Sequence, residues 1–130
     1  MSLTKSMWLK RILAVKVILT FLLWAVPPLF FPISWLQRLG VPAPEDPLFL
    51  RLFGAVVMAL GVAYWFAYKD PFQNAAILKA GIVDNGLVTL IILYFIFFSG
   101  LRNIVFLISA PLTFFFFIAF IVLMPKSKAA

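Results

Sequence analysis

The chain alternates four long apolar runs with short segments that are rich in proline, glycine and charge. The runs cover approximately residues 8–31, 48–68, 76–99 and 104–124. A helix needs about 20 apolar residues to cross the hydrocarbon core of a bilayer, and every run reaches that length. The pattern therefore predicts an all-α, four-transmembrane-helix bundle that forms a single domain over residues 1–130.

The segment between the first two runs predicts a loop that contains a short helix. The first span is expected to end at three prolines, because none of them donates a backbone hydrogen bond: Pro27, Pro28 and Pro32. In residues 31–40, Ile33, Leu36 and Leu39 recur at helical spacing beside Trp35. This spacing predicts a short interfacial helix in the first outer loop, anchored by Trp35, and an irregular lid is the alternative.

Small side chains line two faces of the second span: Ala55, Ala59, Ala63 and Ala67 on one, Gly54 and Gly61 on the other. Helices in lipid associate through such faces, because small residues let two backbones approach closely. We interpret both faces as packing surfaces within the bundle. Homodimerisation is the alternative.

The composition excludes an ordinary soluble domain. The chain is 65% hydrophobic and 12% charged, whereas soluble domains carry about 25% charged residues. The net charge of +7 is better explained by loops that orient a membrane protein than by nucleic-acid binding. We therefore expect membrane lipids as partners, together with other membrane-protein subunits or further copies of the chain, and no nucleic acid.

Cationic residues predict the orientation of the spans. With both termini in the cytoplasm, seven cations fall in inner segments and three in outer segments: Lys5, Lys10, Arg11, Lys69, Lys79, Lys126 and Lys128, against Arg38, Arg51 and Arg102. An excess of Lys and Arg marks the cytoplasmic side. We therefore expect a protein of the bacterial inner (plasma) membrane with both termini cytoplasmic.

The absence of cysteine and histidine narrows the chemistry. The sequence contains neither residue, which excludes disulfides, haem and iron–sulfur ligation by these side chains, zinc sites of the usual ligand set and His-based nucleophiles. Carboxylates, lysines, tyrosines and hydroxyls remain. We expect no cofactor, no metal site and no catalytic residues.

Three polar residues interrupt the apolar runs at similar depth: Lys16 in the first span, and Asp84 and Asn85 in the third. Asp84 lies about 7–8 Å beyond Lys79 along a helix axis, and an ionised side chain at such a depth costs roughly 2.5–3.5 kcal/mol on insertion scales. We therefore predict an ion pair between Lys16 and Asp84, with Asn85 or Tyr64 completing the hydrogen bonds. These four residues are the candidate ligand-binding set.

The polar set has a structural interpretation and a functional one. A buried pair can fix helix register, or Lys16 can extend towards the headgroups. Alternatively, the residues line a polar cavity that binds a lipid headgroup or a small amphiphile. Catalysis is disfavoured, because one carboxylate with a lysine and tyrosines lacks a convincing acid–base pair.

Arginines at the predicted outer ends of the second and fourth spans form a second candidate site. Arg51 and Arg102, the latter followed by Asn103, are candidates for binding an anionic lipid headgroup, since guanidinium groups pair bidentately with phosphate. Anchoring of the helix ends at the membrane interface is the alternative.

A group of residues runs from the second span through the following loop into the start of the third span: Arg51, Phe53, Gly54, Gly61, Tyr64, Asp70, Pro71, Asn74 and residues 79–82. In these residues the chain resembles small bacterial four-helix membrane proteins of the DoxX-like and BphX-like kind. The resemblance implies a four-helix bundle and no assigned activity.

Two functional hypotheses follow. In the first, the protein is a non-catalytic accessory or structural subunit of a larger membrane complex. In the second, it is a free-standing binder or carrier of a lipid or apolar small molecule, with its polar cavity near Lys16 and Asp84. A dry, paired interior favours the first, and a cavity above roughly 300 Å³ beside Asp84 favours the second.

Overall fold

A computed structural model describes residues 2–126, which contain helices and no strand. The elements are α1 (Leu3–Leu19), a π-helical turn (Thr20–Ala25), α2 (Val26–Phe30), α3 (Ile33–Arg38), α4 (Leu48–Lys69), α5 (Ala75–Phe98) and α6 (Ile104–Leu123). Met1 and residues 127–130 lie outside the described residues, and with them Lys128 of the charge count. Four helices are long and apolar enough to cross a membrane: Leu3–Phe30, α4, α5 and α6. The predicted four-helix membrane fold is confirmed, and the protein is a small integral membrane protein.

The bundle consists of two helix pairs. The first span, Leu3–Phe30, packs along α4, and α5 packs along α6. The two pairs are joined mainly by α1 against α6, whereas α4 and α5 touch only sparsely. The sparse α4–α5 contact leaves a cleft between the two helices, lined by Phe53, Val57 and Leu60 on α4 and by Asp84 and Val88 on α5.

Both described ends of the chain lie at the same end of the bundle, which we call the terminal end. Ser2 and Lys5 border the same surface cavity as Met124 and Lys126. At the opposite end, which we call the loop end, the side-chain amide of Asn103 donates to the Leu39 carbonyl at 3.0 Å. The spans therefore alternate in direction through the bundle.

Pro27 and Pro28 do not close the first span, in contrast to the expectation; the helix continues to Phe30, within one residue of the predicted bound at residue 31. The two prolines lack the N–H groups that would bond to the carbonyls of Leu23 and Trp24. The backbone responds just before them by widening to a π-helical turn, in which the Val26 N–H donates to the Phe21 carbonyl. Pro32 lies beyond the helix end, in agreement with the prediction. The helix also begins at Leu3, earlier than the hydropathy pattern indicates.

The predicted short helix in the first loop is present as α3, and the irregular-lid alternative is wrong. Gly40 ends the helix with φ +73°, a left-handed conformation that glycine adopts without strain. The Val41 N–H then donates to the Leu36 carbonyl at 3.0 Å. Leu36 itself is buried, whereas Trp35 is half exposed, as expected for a helix that lies over the bundle with one apolar face inward.

The two small-residue faces of α4 have different environments. Gly54 and Gly61 are buried against the first span, and a Cβ atom at Gly61 would lie 2.8 Å from the Phe21 ring. In contrast, Ala55 and Ala59 are exposed on the outside of the bundle. The interpretation as an internal packing surface is confirmed for the glycines and is wrong for these two alanines.

Candidate functional site

Lys16 lies inside the bundle, with 3% of its surface exposed. Its ammonium Nζ donates to Oδ1 of Asn85 at 2.7 Å. Three aromatic rings surround the same ammonium, with centroids 4.7 Å (Trp24), 5.1 Å (Tyr64) and 4.8 Å (Phe116) from Nζ. Cation–π attraction acts within about 6 Å and is strongest where water is excluded. Lys16 is therefore held in the interior and does not extend to the headgroups.

Asp84 is connected to Lys16 indirectly. The Tyr64 hydroxyl donates to Oδ2 of Asp84 at 3.3 Å and accepts from Nδ2 of Asn85 at 3.4 Å. The predicted direct ion pair is thus replaced by a connection through Asn85 and Tyr64. These are the two residues that were expected to complete the hydrogen bonds, so the structure brings all four candidate ligand-binding residues together.

Helical geometry explains why Asn85, and not Asp84, receives Lys16. The buried face of α5 follows i, i+3, i+4 spacing: Leu78, Gly81, Asn85, Thr89 and Ile92. Asp84 precedes this face by one residue and is half-buried at its edge. The carboxylate therefore borders the α4–α5 cleft, while the amide points into the centre. Gly81 accepts the other amide hydrogen of Asn85 at its carbonyl, 2.6 Å away.

The polar network continues from Asn85 towards the loop end. The Thr89 hydroxyl donates to the Asn85 carbonyl at 2.7 Å, and its oxygen lies 2.7 Å from the Thr113 hydroxyl on α6. Ser109 accepts from the indole N–H of Trp24 at 2.9 Å. Within residues 2–126, every buried side-chain nitrogen and oxygen has a hydrogen-bond partner. The network thus links the first span, α5 and α6 without an unsatisfied polar atom.

The hydroxyl residues of this network were not predicted from the sequence. Thr20, Thr89, Ser109 and Thr113 are all at most 5% exposed. The signal was the position of Thr20 four residues after Lys16 and of Thr89 four residues after Asn85, which places each pair on one helix face. Threonines are common enough in membrane helices that this spacing alone does not indicate a site.

Two adjoining cavities border the network. The first, which we call the polar pocket, has a volume of about 70 Å³ and is lined by Lys16, Thr20, Tyr64, Asp84, Asn85 and Thr113 together with apolar side chains. The second, the apolar chamber, has a volume of about 180 Å³ and lies beneath α3, between Leu36 and Ile92. Both are lined by Trp24, Phe53 and Val88, so that the two cavities share a wall.

Of the second candidate set, which consists of Arg51, Arg102 and Asn103, the first and last make structural contacts at the loop end. Nη1 of Arg51 donates to the Pro28 carbonyl at 2.9 Å. This carbonyl would ordinarily accept from residue 32, which is a proline without an N–H. Oδ1 of Asn103 accepts from the Val105 N–H at 2.9 Å and thereby caps α6. Arg102 is exposed. Headgroup binding by these residues stays a prediction.

The chemistry available at the polar pocket is hydrogen bonding and charge compensation. An ammonium has three donors and a carboxylate only acceptors, and both groups line the same cavity. Among residues 2–126, no three His, Cys, Asp or Glu side chains are grouped as metal ligands would be. The arrangement suits the recognition of a small polar group that enters from an apolar environment.

Comparison with known protein families, curated proteins and solved structures finds no match to the chain. The resemblance to DoxX-like and BphX-like proteins therefore stays a prediction from the residues that carry it. The geometry of the site is therefore the only indication of function in this chain.

Proposed function

We propose that this protein is a non-catalytic binder of a small amphiphile, whose polar head occupies the polar pocket and whose apolar part occupies the apolar chamber. The observation that carries the proposal is the wall of Trp24, Phe53 and Val88 that the two cavities share. The polar network lines the pocket on one side of this wall, together with Val57 and Leu60, whereas the chamber on the other side is apolar apart from Ser109. A ligand that is itself divided into a head and a chain matches this pair of cavities and occupies both by displacing the Phe53 ring, which is 52% exposed.

The volumes set the size of the ligand. The polar pocket alone, at about 70 Å³, is below the roughly 300 Å³ that is usual for ligand sites, so it does not meet the size expected beside Asp84. The apolar chamber adds about 180 Å³, and an apolar cavity of about 150 Å³ holds a molecule such as benzene. The proposal is therefore restricted to a slender ligand and excludes a whole phospholipid.

Native mass spectrometry of the protein extracted from its own membrane tests the proposal. We expect a retained small molecule on the wild-type protein. The variant Val88→Phe places a larger side chain where the two cavities meet, so it should lose this molecule. The variant Val83→Phe is the matched control, because Val83 lies on the same helix and is 61% exposed. Equal retention by both variants, or no retained molecule on the wild type, contradicts the proposal.

A second candidate function, an accessory subunit of a larger membrane complex, is favoured by the exposed alanines of α4. Ala55 and Ala59 lie on the outside of the bundle, Ala63 is half-buried and Ala67 is buried, so the fold leaves the Ala55–Ala59 half of this small-residue face uncovered. Such faces support close helix association in lipid. On this hypothesis a transmembrane helix of a partner subunit packs against Ala59.

Cross-linking in the native membrane tests the second candidate. The chain has no cysteine, so Ala59→Cys introduces a single thiol on the alanine face. We expect this thiol to form a cross-link to a partner subunit with a short bifunctional reagent. The control is Ile91→Cys, on the lipid-facing side of α5 with 57% exposure. Cross-linking at both positions or at neither argues against a specific interface, and a product of twice the chain mass indicates a homodimer.

We also propose the bacterial inner membrane as the location, with both termini in the cytoplasm. The excess of cations at the terminal end over the loop end supports this orientation. A membrane-impermeant thiol reagent distinguishes the two sides. In intact cells, Ser99→Cys at the loop end should react, whereas Gln73→Cys at the terminal end should react only after the cells are opened. The reverse pattern contradicts the orientation.

A further inference from the structure

The polar pocket contains one cationic and one anionic side chain. Lys16 and Asp84 both line it, and the other polar groups that face it are uncharged: Thr20, Tyr64, Asn85 and Thr113. The charges of the ammonium and the carboxylate therefore offset each other. In a low-dielectric interior, a further charge interacts strongly with both groups and loses its hydration as well.

The balance of charge disfavours an ionised head of either sign. A carboxylate head gains from Lys16 but is repelled by Asp84, and an ammonium head meets the opposite situation. A hydroxyl group suits both residues at once, because it accepts one hydrogen bond and donates another. The ammonium has one hydrogen bond to a neighbouring side chain, Asn85, out of its three donors. The hydrogen bond that Asp84 accepts from Tyr64 is long, at 3.3 Å.

The volume of the polar pocket also limits the size of the head group. A cavity needs a volume of about 10–15 Å³ to hold one water molecule. The polar pocket, at about 70 Å³, therefore holds a few waters or one compact chemical group. A hydroxyl fits easily, whereas a phosphate with its glycerol does not. The head that satisfies both the volume and the charge is therefore small and uncharged.

Access to the site is available from the side. Phe53, Val57 and Leu60 of α4 face Asp84 and Val88 of α5 across the polar pocket. The two helices touch sparsely, and Phe53 is 52% exposed at the lipid-facing surface. An amphiphile dissolved in the bilayer can thus reach the pocket by displacing the Phe53 ring, without passing through water.

We propose that the site selects a single-chain amphiphile with an uncharged hydroxyl head, a primary alcohol whose chain is short enough for the apolar chamber, over the corresponding acid or amine. This inference rests on the proposed function and names the chemical class of its ligand. The alcohol oxygen accepts a hydrogen bond from the Lys16 ammonium, and the alcohol O–H donates a hydrogen bond to the Asp84 carboxylate. The chain lies against Trp24 and extends into the apolar chamber.

Quenching of Trp24 fluorescence by brominated chains tests the selectivity. The protein is placed in lipid nanodiscs with its other three tryptophans replaced: Trp8→Phe, Trp35→Phe and Trp65→Phe. The probes are 6-bromohexan-1-ol, 6-bromohexanoic acid and 6-bromohexylamine, whose chains match the volume of the apolar chamber. We expect saturable quenching by the alcohol at a concentration about tenfold lower than for either ionised probe. Quenching that rises linearly without saturation reports partition into lipid only and contradicts a site.

Removing one charge at a time gives the decisive comparison. In Asp84→Asn, the remaining cation should shift the preference to the acid. In Lys16→Gln, the remaining anion should shift it to the amine. The Asp84→Asn result stands alone if Lys16→Gln does not fold, since Asp84 is half-buried at the edge of the packed face.

The outcomes separate this inference from the proposed function. If the wild type prefers the acid or the amine, or if Asp84→Asn keeps the wild-type order, the head selectivity is wrong while amphiphile binding stands. If no probe quenches saturably, both are wrong. Saturable quenching that persists in Val88→Phe but follows the same order places the binding elsewhere and overturns the site.

Discussion

The ammonium of Lys16 lies 2.7 Å from the side-chain oxygen of Asn85 and is shielded from the surface by three aromatic rings. An amide, rather than a carboxylate, is thus the direct partner of the buried cation. Because the amide oxygen is already oriented by the hydrogen bond that Asn85 donates to Gly81, the ammonium has a fixed position. Asp84 is left at the cleft, where it can meet a ligand.

The first prediction concerns the Lys16–Asn85 pair. Asn85→Leu removes the acceptor and leaves an ammonium in an apolar interior, so we expect the free energy of unfolding to fall by about 2–3 kcal/mol, the magnitude typical of hydrogen bonds to charged groups. Unfolding by SDS, followed by circular dichroism in detergent micelles, measures the change.

The double variant Lys16→Met/Asn85→Leu is the control for this pair. Replacing both partners by apolar groups of similar shape is often nearly neutral. We therefore expect the double variant to recover most of the stability lost in Asn85→Leu. If the double variant is as unstable as Asn85→Leu, or if its loss of stability is the sum of the losses from the two single changes, the two side chains do not act as a pair.

The spans could be predicted from the sequence because membrane insertion depends on local composition. A run such as residues 76–99 is apolar whatever it packs against, and the observed helix, Ala75–Phe98, agrees within one residue. The start of the first helix could not be placed so well, because residues 3–7 are polar enough to resemble a leader. Their helix is capped by Ser2, whose hydroxyl accepts from the Lys5 N–H at 3.3 Å.

The residues that form the candidate site could be predicted from the sequence, but not which of them bind each other directly. Depth along the helix follows from counting residues, which is why Lys16, Asp84 and Asn85 were grouped correctly. Rotation about the helix axis decides which of two adjacent residues faces inward, and consecutive positions differ by about 100°. On α5 the apolar background is nearly uniform, so the sequence gives little information about which side of the helix is buried.

The packing of α4 shows the same limit. Alanine and glycine faces are both compatible with close approach, and the sequence does not distinguish them. The first span selects the glycines, because Leu29 and Phe21 occupy the space that a Cβ atom would need at Gly54 and Gly61. Because these side chains of the first span are large, the α4 positions that contact them require glycine rather than alanine.

The second prediction separates the two arginines of the loop end. Arg51→Met leaves the Pro28 carbonyl without its donor, and we expect a loss of about 1–2 kcal/mol in the free energy of unfolding. Arg102→Met is the control, and we expect a change within about 0.5 kcal/mol because this residue is exposed. Thermal unfolding in micelles of uncharged detergent measures both variants. If Arg51→Met is destabilising only when anionic lipid is present, its main role is headgroup binding.

The third prediction concerns the space beside Tyr64. A Cβ atom at Gly81 would lie 2.7 Å from the Tyr64 hydroxyl and 3.0 Å from the Phe120 ring. Gly81→Ala should therefore displace Tyr64 and destabilise the protein by about 1–3 kcal/mol, as overpacking does elsewhere. Ala80→Val adds volume one residue away on the exposed side of α5 and should have little effect. Comparison of their midpoints of SDS unfolding checks the prediction, and similar midpoints contradict it.

The fourth prediction concerns the π-helical turn that precedes Pro27 and Pro28. The double variant Pro27→Ala/Pro28→Ala supplies two N–H groups for the carbonyls of Leu23 and Trp24, so we expect the turn to revert to α-helix. Reversion removes the extra residue of the turn and rotates Trp24 relative to Lys16. The indole N–H of Trp24 should then lose its hydrogen bond to Ser109, which is 2.9 Å long in the wild type.

The indole N–H resonance of Trp24 in a ¹⁵N–¹H spectrum reports this change, and its assignment follows from Trp24→Phe. We expect it to move by more than the resonances of the other three tryptophans. Pro44→Ala, in the loop between α3 and α4, is the control and should leave it in place. An unchanged Trp24 resonance in the double variant means that the prolines do not cause the π-helical turn. The widening would then be attributed to packing of Phe21 against Gly61, which the variant Gly61→Ala would perturb instead.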